Sequence, residues 1–112
     1  MDGVTIDPQG NGVAVMRMTG RLDYQTAPEA RQELRDAVEH GSTRLVADLG
    51  AVEFLDSSGL GALIAGLKAA RAAGGDLRLA DVPEQARVVL ALTTLDRMFT
   101  SYASVPEAVA GY

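Results

Sequence analysis

The sequence predicts an α/β fold with a mixed sheet of about five strands, parallel in its core, and about four helices. Strand-like and helix-like segments alternate from Val13 to Ala80, the pattern of parallel strands joined by right-handed crossovers. Turn and stop signals separate them, among them Pro8-Gln9-Gly10-Asn11-Gly12, His40-Gly41 and Gly74-Gly75. The 112 residues give room for one domain, 1–112, with a core that buries roughly two-thirds of the surface an extended chain exposes.

The elements follow in order. Val4 to Asp7 and Val13 to Thr19 read as strands of a hairpin, and in the second Ala14, Met16 and Met18 share one face while Val13 and Val15 share the other. A strand apolar on both faces suits the middle of a sheet. Thr26-Ala27-Pro28-Glu29 matches a capping box, so a first helix starts there, carries Ala30, Leu34, Ala37 and Val38 inward, and stops at His40-Gly41. Arg44 to Leu49 is the next strand. A second helix from Ser57 or Ser58 to about Ala73 has Leu60, Leu63, Ile64, Leu67 and Arg71 as its inward stripe, with Arg71 snorkelling at the far end. Its opposite stripe, Gly59, Ala62, Gly66, Ala69 and Ala73, is nearly bare. Leu77 to Ala80 forms a strand, and Pro83 to about Thr93 a third helix with Val88, Val89 and Leu92 available to the core. A short strand near Met98 to Tyr102 and a last helix over Ala108 and Val109, opened by the capping box Ser104-Val105-Pro106-Glu107, complete the chain.

Composition narrows the function. Hydrophobic residues make up 47% and charged residues 22%, values of an ordered globular protein. Phe54, Phe99, Tyr24, Tyr102 and Tyr112 are the only aromatic residues, so aliphatic and alanine packing must build the core. The net charge is −5 and the basic residues are scattered singly, which argues against nucleic-acid binding. Absence of cysteine removes disulfides and thiolate ligands and fits a cytoplasmic protein. Met1-Asp2-Gly3-Val4 lacks the basic start of a signal peptide, and no apolar run approaches the ~18 residues of a membrane helix. A cytoplasmic chain without membrane, metal or cofactor is expected.

Asp56-Ser57-Ser58-Gly59-Leu60-Gly61 is the most informative run. It sets two hydroxyls at the opening of the second helix, where unpaired N–H groups and the helix dipole tolerate and orient a phosphate. The strand before it and the one before the first helix both end at the carboxyl edge of a parallel sheet, so Asp23 and Asp56 to Ser58 share the edge where open α/β folds place their sites. Plainer roles stand beside this one. Ser57 and Ser58 can be simple helix caps, Asp23 a turn residue and Asp56 an alternative cap. Gly59, Gly61 and Gly66 lower helix propensity; a bare face for an approaching partner and close helix–sheet packing explain the first and last equally well, while Gly61 suits packing. Asp48 reads as structural, holding loop N–H groups, and His40 as a helix C-terminal cation.

Gly20-Arg21-Leu22-Asp23 before a capped helix, then Leu45-Val46-Ala47-Asp48-Leu49, then Phe54-Leu55 and the Asp56 to Gly61 run, resemble in order the STAS domain of bacterial anti-sigma factor antagonists. The resemblance covers nearly the whole chain and implies one STAS-like domain over 1–112. It implies phosphorylation at Ser58 and a transcription-regulating circuit. The unphosphorylated antagonist binds an anti-sigma factor that is also a serine kinase, a sigma factor is freed, and a serine phosphatase resets the modified form. Asp23 matches the family's acidic position near the serine and Asp56 the one directly before it, while Arg21 departs from the acidic residue often found at its place. The expected partner-binding residues are Asp23, Asp56, Ser57, Ser58, Gly59 and Ala62. A STAS-like subunit of a stress-signalling or transporter-associated assembly is the nearer rival.

Enzymatic readings fare worse. A nucleophile elbow needs G-x-S-x-G, yet Leu55 stands at its first position for Ser57 and Asp56 for Ser58. Gly59-Leu60-Gly61 lacks both G-x-G-x-x-G and a following Lys-Ser or Lys-Thr pair, so a nucleotide site has little support.

Overall fold

A computed structural model describes residues 3–112; Met1 and Asp2, half of the segment read as lacking a signal peptide, lie outside the described residues. The elements are β1 (Gly3–Gly10), β2 (Val13–Leu22), α1 (Ala27–Glu39), β3 (Arg44–Leu55), α2 (Ser57–Ala72), β4 (Asp76–Ala80), α3 (Glu84–Leu92), β5 (Thr100–Tyr102) and α4 (Val105–Ala110), with a 3₁₀ turn at Leu95–Arg97. The five strands lie in sequence order across one sheet. β1 pairs antiparallel with β2, and β2, β3 and β4 follow in parallel, as the alternating pattern predicts, with β5 also parallel to β4.

Local chemistry explains most boundaries. The hairpin turns through Asn11 and Gly12, both at positive φ, which only glycine and a few polar residues adopt readily. α1 ends at His40 with Gly41 left-handed at φ +95°, and α2 is followed by Gly74 at φ +86°. α4 opens on Ser104, whose hydroxyl accepts from the Glu107 amide at 3.3 Å, as its capping box predicts.

Three strands run further than their apolar patterns suggest, the first being β1, which continues through Pro8 and Gln9 to Gly10 with a register shift there. β2 continues to Leu22 and β3 to Leu55, with register shifts between Arg17 and Thr19 and between Gly20 and Arg21 of β2. Gly50 interrupts the alternation in β3, and the Asp48 carboxylate accepts its amide at 3.0 Å. β4 pairs with β3 only from Arg44 to Asp48, which leaves the far end of β3 without that neighbour. There Gln85 of α3 accepts from the Leu55 amide at 2.8 Å and donates to the Leu55 carbonyl at 2.9 Å, occupying the place of a strand.

The main core lies on one face of the sheet, where Met16, Met18, Leu45, Leu49, Leu77 and Leu79 meet Leu34 of α1, Leu60, Leu63 and Leu67 of α2, and Ala86 and Leu90 of α3. A smaller cluster on the other face joins Val15, Val46 and Ala80 to Ala108 of α4. α3 is phased differently from expectation: Ala86 and Leu90 are buried and Val89 half-buried, while Val88 and Leu92 face solvent. Positions 86, 89 and 90 form the inward stripe at i, i+3 and i+4. Arg71 holds Asp76 at 3.1 Å and donates to the Met98 carbonyl at 3.2 Å, so the end of α2 is tied to its neighbours. Among the described residues no helix is long and apolar enough to cross a membrane.

The bare stripe of α2 is a packing surface. A Cβ on Gly59 would collide with the Leu22 carbonyl, and one on Gly66 would sit 2.7 Å from Leu34 Cδ1. Ala62 is wholly buried. Gly61 departs from its expected packing role, since the nearest group to a Cβ there is the Arg31 guanidinium, at 3.5 Å, an ordinary contact. Gly59→Ala is therefore expected to cost about 1–3 kcal/mol through overpacking. Gly61→Ala should be neutral or gain up to about 1 kcal/mol from helix propensity. Thermal and urea unfolding of the two variants reads the contrast, and equal stability would contradict the close approach at Gly59.

Candidate partner-binding site

Leu22 and Leu55 pair at the ends of their strands, so the loops that follow emerge side by side at the carboxyl edge of the sheet. The Asp56 amide donates to the Leu22 carbonyl at 3.3 Å and continues the join. Asp56 is the N-cap of α2: its Oδ1 accepts from the Gly59 amide at 2.9 Å. Its Oδ2 accepts from the Tyr24 amide at 3.2 Å, so one carboxylate binds both the helix and the loop after β2. The capping role considered for Ser57 and Ser58 thus belongs to Asp56. Ser57 and Ser58 occupy the first two helical positions, where backbone N–H groups have no intrahelical partner.

The loop before α1 is organised by Asp23, which is 4% exposed. Its Oδ1 accepts from the Gln25 amide at 3.0 Å and the Thr26 amide at 3.4 Å, and its Oδ2 accepts from Arg21 Nε at 3.1 Å. Burial pushes the Asp23 carboxyl upward, but the hydrogen bonds from Arg21, Gln25 and Thr26 outweigh it and hold the group below its ordinary value of 3.8. Thr26 does not cap α1 with its side chain; it turns back to donate to the Arg21 carbonyl at 2.6 Å and to accept from the Asp23 amide at 3.0 Å. The loop's amides are met by Asp23, which leaves the expected capping box unformed. The Arg21 guanidinium lies 4.4 Å from the centroid of the Phe54 ring, a cation–π contact between the last residues of β2 and β3.

Between the loops and the first turns of α1 and α2 runs a groove of about 370 Å³, with Tyr24, Pro28 and Arg31 on one wall and Ser57, Ser58 and Gly61 on the other. Ser57 is exposed, Ser58 half-buried, and Tyr24 69% exposed, a large ring left in solvent at the rim. Neither Ser57 nor Ser58 has a side-chain hydrogen bond among the described residues. Of the residues expected to meet a partner, Asp56, Ser57 and Ser58 come together at this edge. Asp23 is beside them, but its carboxylate is committed to its own loop. Gly59 and Ala62 are buried beneath, and neither presents a side chain to an approaching protein. Tyr24, Arg31 and Gln85 were not singled out from sequence, because a lone ring, a lone cation or a lone amide carries no local pattern.

His40 stands at the opposite end of α1, with Nδ1 2.7 Å from the Asp36 carbonyl, so no imidazole accompanies the two serines. Among the described residues no cluster of histidine and carboxylates could hold a metal ion. A larger groove of about 560 Å³, lined by Asp81, Arg87, Asp96 and Tyr102, shares no residue with the Ser58 groove.

Comparison with known proteins agrees with this architecture. Residues 6–108 match the STAS domain family, and the chain belongs to it. Its relatives there include the anti-sigma-F factor antagonist RsfB of Mycobacterium tuberculosis, 32% identical over 98% of this chain and 90% of RsfB. An anti-sigma factor antagonist from Mycobacterium paratuberculosis superposes with a TM-score of 0.86 at 30% identity, covering 99% of this chain and 93% of that one. The Bacillus cell fate determinant SpoIIAA, solved in its phosphorylated form, shares the fold, with a TM-score of 0.76 at 21% identity over 96% of this chain and 97% of SpoIIAA.

Two consequences can be measured. Asp56→Ala removes the cap and should cost about 0.5–2 kcal/mol of stability. Asp23 has a depressed pKa in the folded state, so its stabilising effect is complete above about pH 4 and disappears as pH falls through the folded value. Asp23→Asn should therefore lower the melting temperature at pH 7 and lose that deficit as the pH falls through the depressed folded-state value. A deficit independent of pH would show that the charge plays no part.

Proposed function

We propose that the chain is an anti-sigma factor antagonist controlled by phosphorylation of Ser58. Unphosphorylated, it binds a kinase-type anti-sigma factor at the edge formed by Tyr24, Asp56, Ser57 and Ser58 and displaces a sigma factor. Asp23 acts as a positioning residue for this surface by fixing the Arg21 to Thr26 loop. The observation that carries the reading is the Ser58 hydroxyl: half-buried at the lip of a groove, without a hydrogen-bond partner among the described residues, and two residues from a carboxylate held in place. Kinship with antagonists at 32% and 30% identity supports the partner class.

In the modification, Ser58 Oγ attacks the γ-phosphorus of ATP, the bond to the bridging oxygen of ADP breaks, and the hydroxyl proton passes to the kinase. A phosphatase reverses the state by water attack, which returns the serine and inorganic phosphate. The added group carries about −1.5 to −2 charge. It stands beside Asp56, on a surface whose protein has a net charge of −5. Docking then leaves charges desolvated or opposed, and a penalty of ~3 kcal/mol reduces affinity about a hundredfold without any refolding.

Incubation with kinase-type anti-sigma factors and ATP, followed by peptide mapping, should locate added mass on Ser58. Calorimetry should find Ser58→Asp bound at least tenfold more weakly than Ser58→Ala, with both variants as stable as the natural chain. Equal affinities, or mass on another residue, would overturn the switch.

A further inference from the structure

Ser58 and Gly61 lie one turn apart on the same face of α2, and α1 brings Arg31 across that face. The Arg31 guanidinium reaches to 3.5 Å from the position of a Cβ on Gly61. Residues three apart on a helix have Cβ atoms about 5–6 Å from each other, and a phosphate ester extends its oxygens into that gap. Arg31 is exposed and makes neither a hydrogen bond nor an ion pair among the described residues. Among the described residues no other cation lines the groove; Arg21 is held by Asp23 and stacked on Phe54.

We propose that Arg31 is the internal receptor of the phosphate on Ser58, so that modification ties α1 to α2 across the groove and fills it. The proposal rests on Ser58 being the modified residue. Several features converge on it. A guanidinium presents parallel N–H donors that match phosphate oxygens in a bidentate pair. Asp56 already holds the Gly59 amide and repels a second anion from that side, which turns the phosphate toward the α1 wall. Gly61 keeps the route open, since any long side chain there would stand between guanidinium and phosphate. Partner release then has two components at one place: charge on the surface, and loss of the groove into which a partner side chain would fit.

The test installs phosphoserine at position 58 during translation. Failure of a kinase to modify the chain, which would count against the proposed function, therefore does not touch it. Phosphorus NMR follows the second ionisation of the phosphate, near pH 6 for a free phosphoserine. An adjacent cation favours the dianion, so the midpoint should lie lower by about 0.5 in the natural sequence than in Arg31→Ala, the small effect of an exposed pair. Arg31→Lys should fall between them. Arg35→Ala removes the same charge one turn further along α1 and should leave the midpoint where it is. Equal midpoints in the natural sequence and Arg31→Ala, or an equal displacement by Arg35→Ala, would overturn the proposal.

Discussion

The two oxygens of Asp56 bind the two halves of the functional edge together. One receives the Gly59 amide and closes the first turn of α2; the other receives the Tyr24 amide and fixes the loop that leads to α1. Because the Asp56 backbone also continues the Leu22 and Leu55 pairing, the carboxylate is placed by the sheet itself. Its capping choice decides what remains available. With the third amide of the helix taken, the first two, on Ser57 and Ser58, stay unpaired and face outward with their hydroxyls. The same carboxylate already satisfies much of the positive character of the helix end. A phosphate added to Ser58 therefore enters a site whose dipole is partly answered, and its charge is felt by whatever docks there.

Around that join the structure places rigid supports in depth. Gln85 occupies the missing strand position beside Leu55, directly before the cap. Asp23 collects the amides of its loop and anchors Arg21, which in turn lies over Phe54 from the neighbouring strand. Gly59 lets α2 sit against the Leu22 carbonyl, and Gly66 lets it sit against Leu34 of α1. Each contact removes a direction in which the serines could move. In the proposed switch a site held this firmly has no need to refold on modification, and its affinity is altered in place, by the charge on the surface and the filling of the groove.

How far the sequence revealed this depends on whether a property was local. Apolar alternation in β2, the stop at Gly41, the Ser104 cap and the order of strands and helices are set by residues near one another, and they were legible. The extension of β3 was not, because Gly50 breaks the pattern and its compensation by Asp48 and Gln85 requires the fold. Thr26 showed a capping-box pattern, yet its hydroxyl is taken up by the Arg21 carbonyl and the Asp23 amide, and the buried Asp23 carboxylate holds the Thr26 amide that Glu29 would have reached. The small-residue stripe on α2 was ambiguous for a different reason: a bare helix face looks the same whether solvent, a partner or the chain's own carbonyl lies opposite. Tertiary contact decided against exposure at Gly59 and Ala62, and left Gly61 half-buried beside Arg31.

That last distinction bears on how the site works. Were Gly59 and Ala62 exposed, a partner could also lie along their side of α2. Their burial closes that side of α2 and leaves the face of Ser58, Gly61, Ala65 and Lys68 open, with its first turn beside Tyr24 and Asp56. In the proposed switch, an interface centred on the Ser58 hydroxyl makes a phosphate there costly, since a few central contacts carry most of the binding energy of an interface. The glycines of α2 act indirectly in that switch: by packing inward, Gly59 against the Leu22 carbonyl and Gly66 against Leu34, they hold the helix so that a charge on Ser58 stands at a fixed place on the surface.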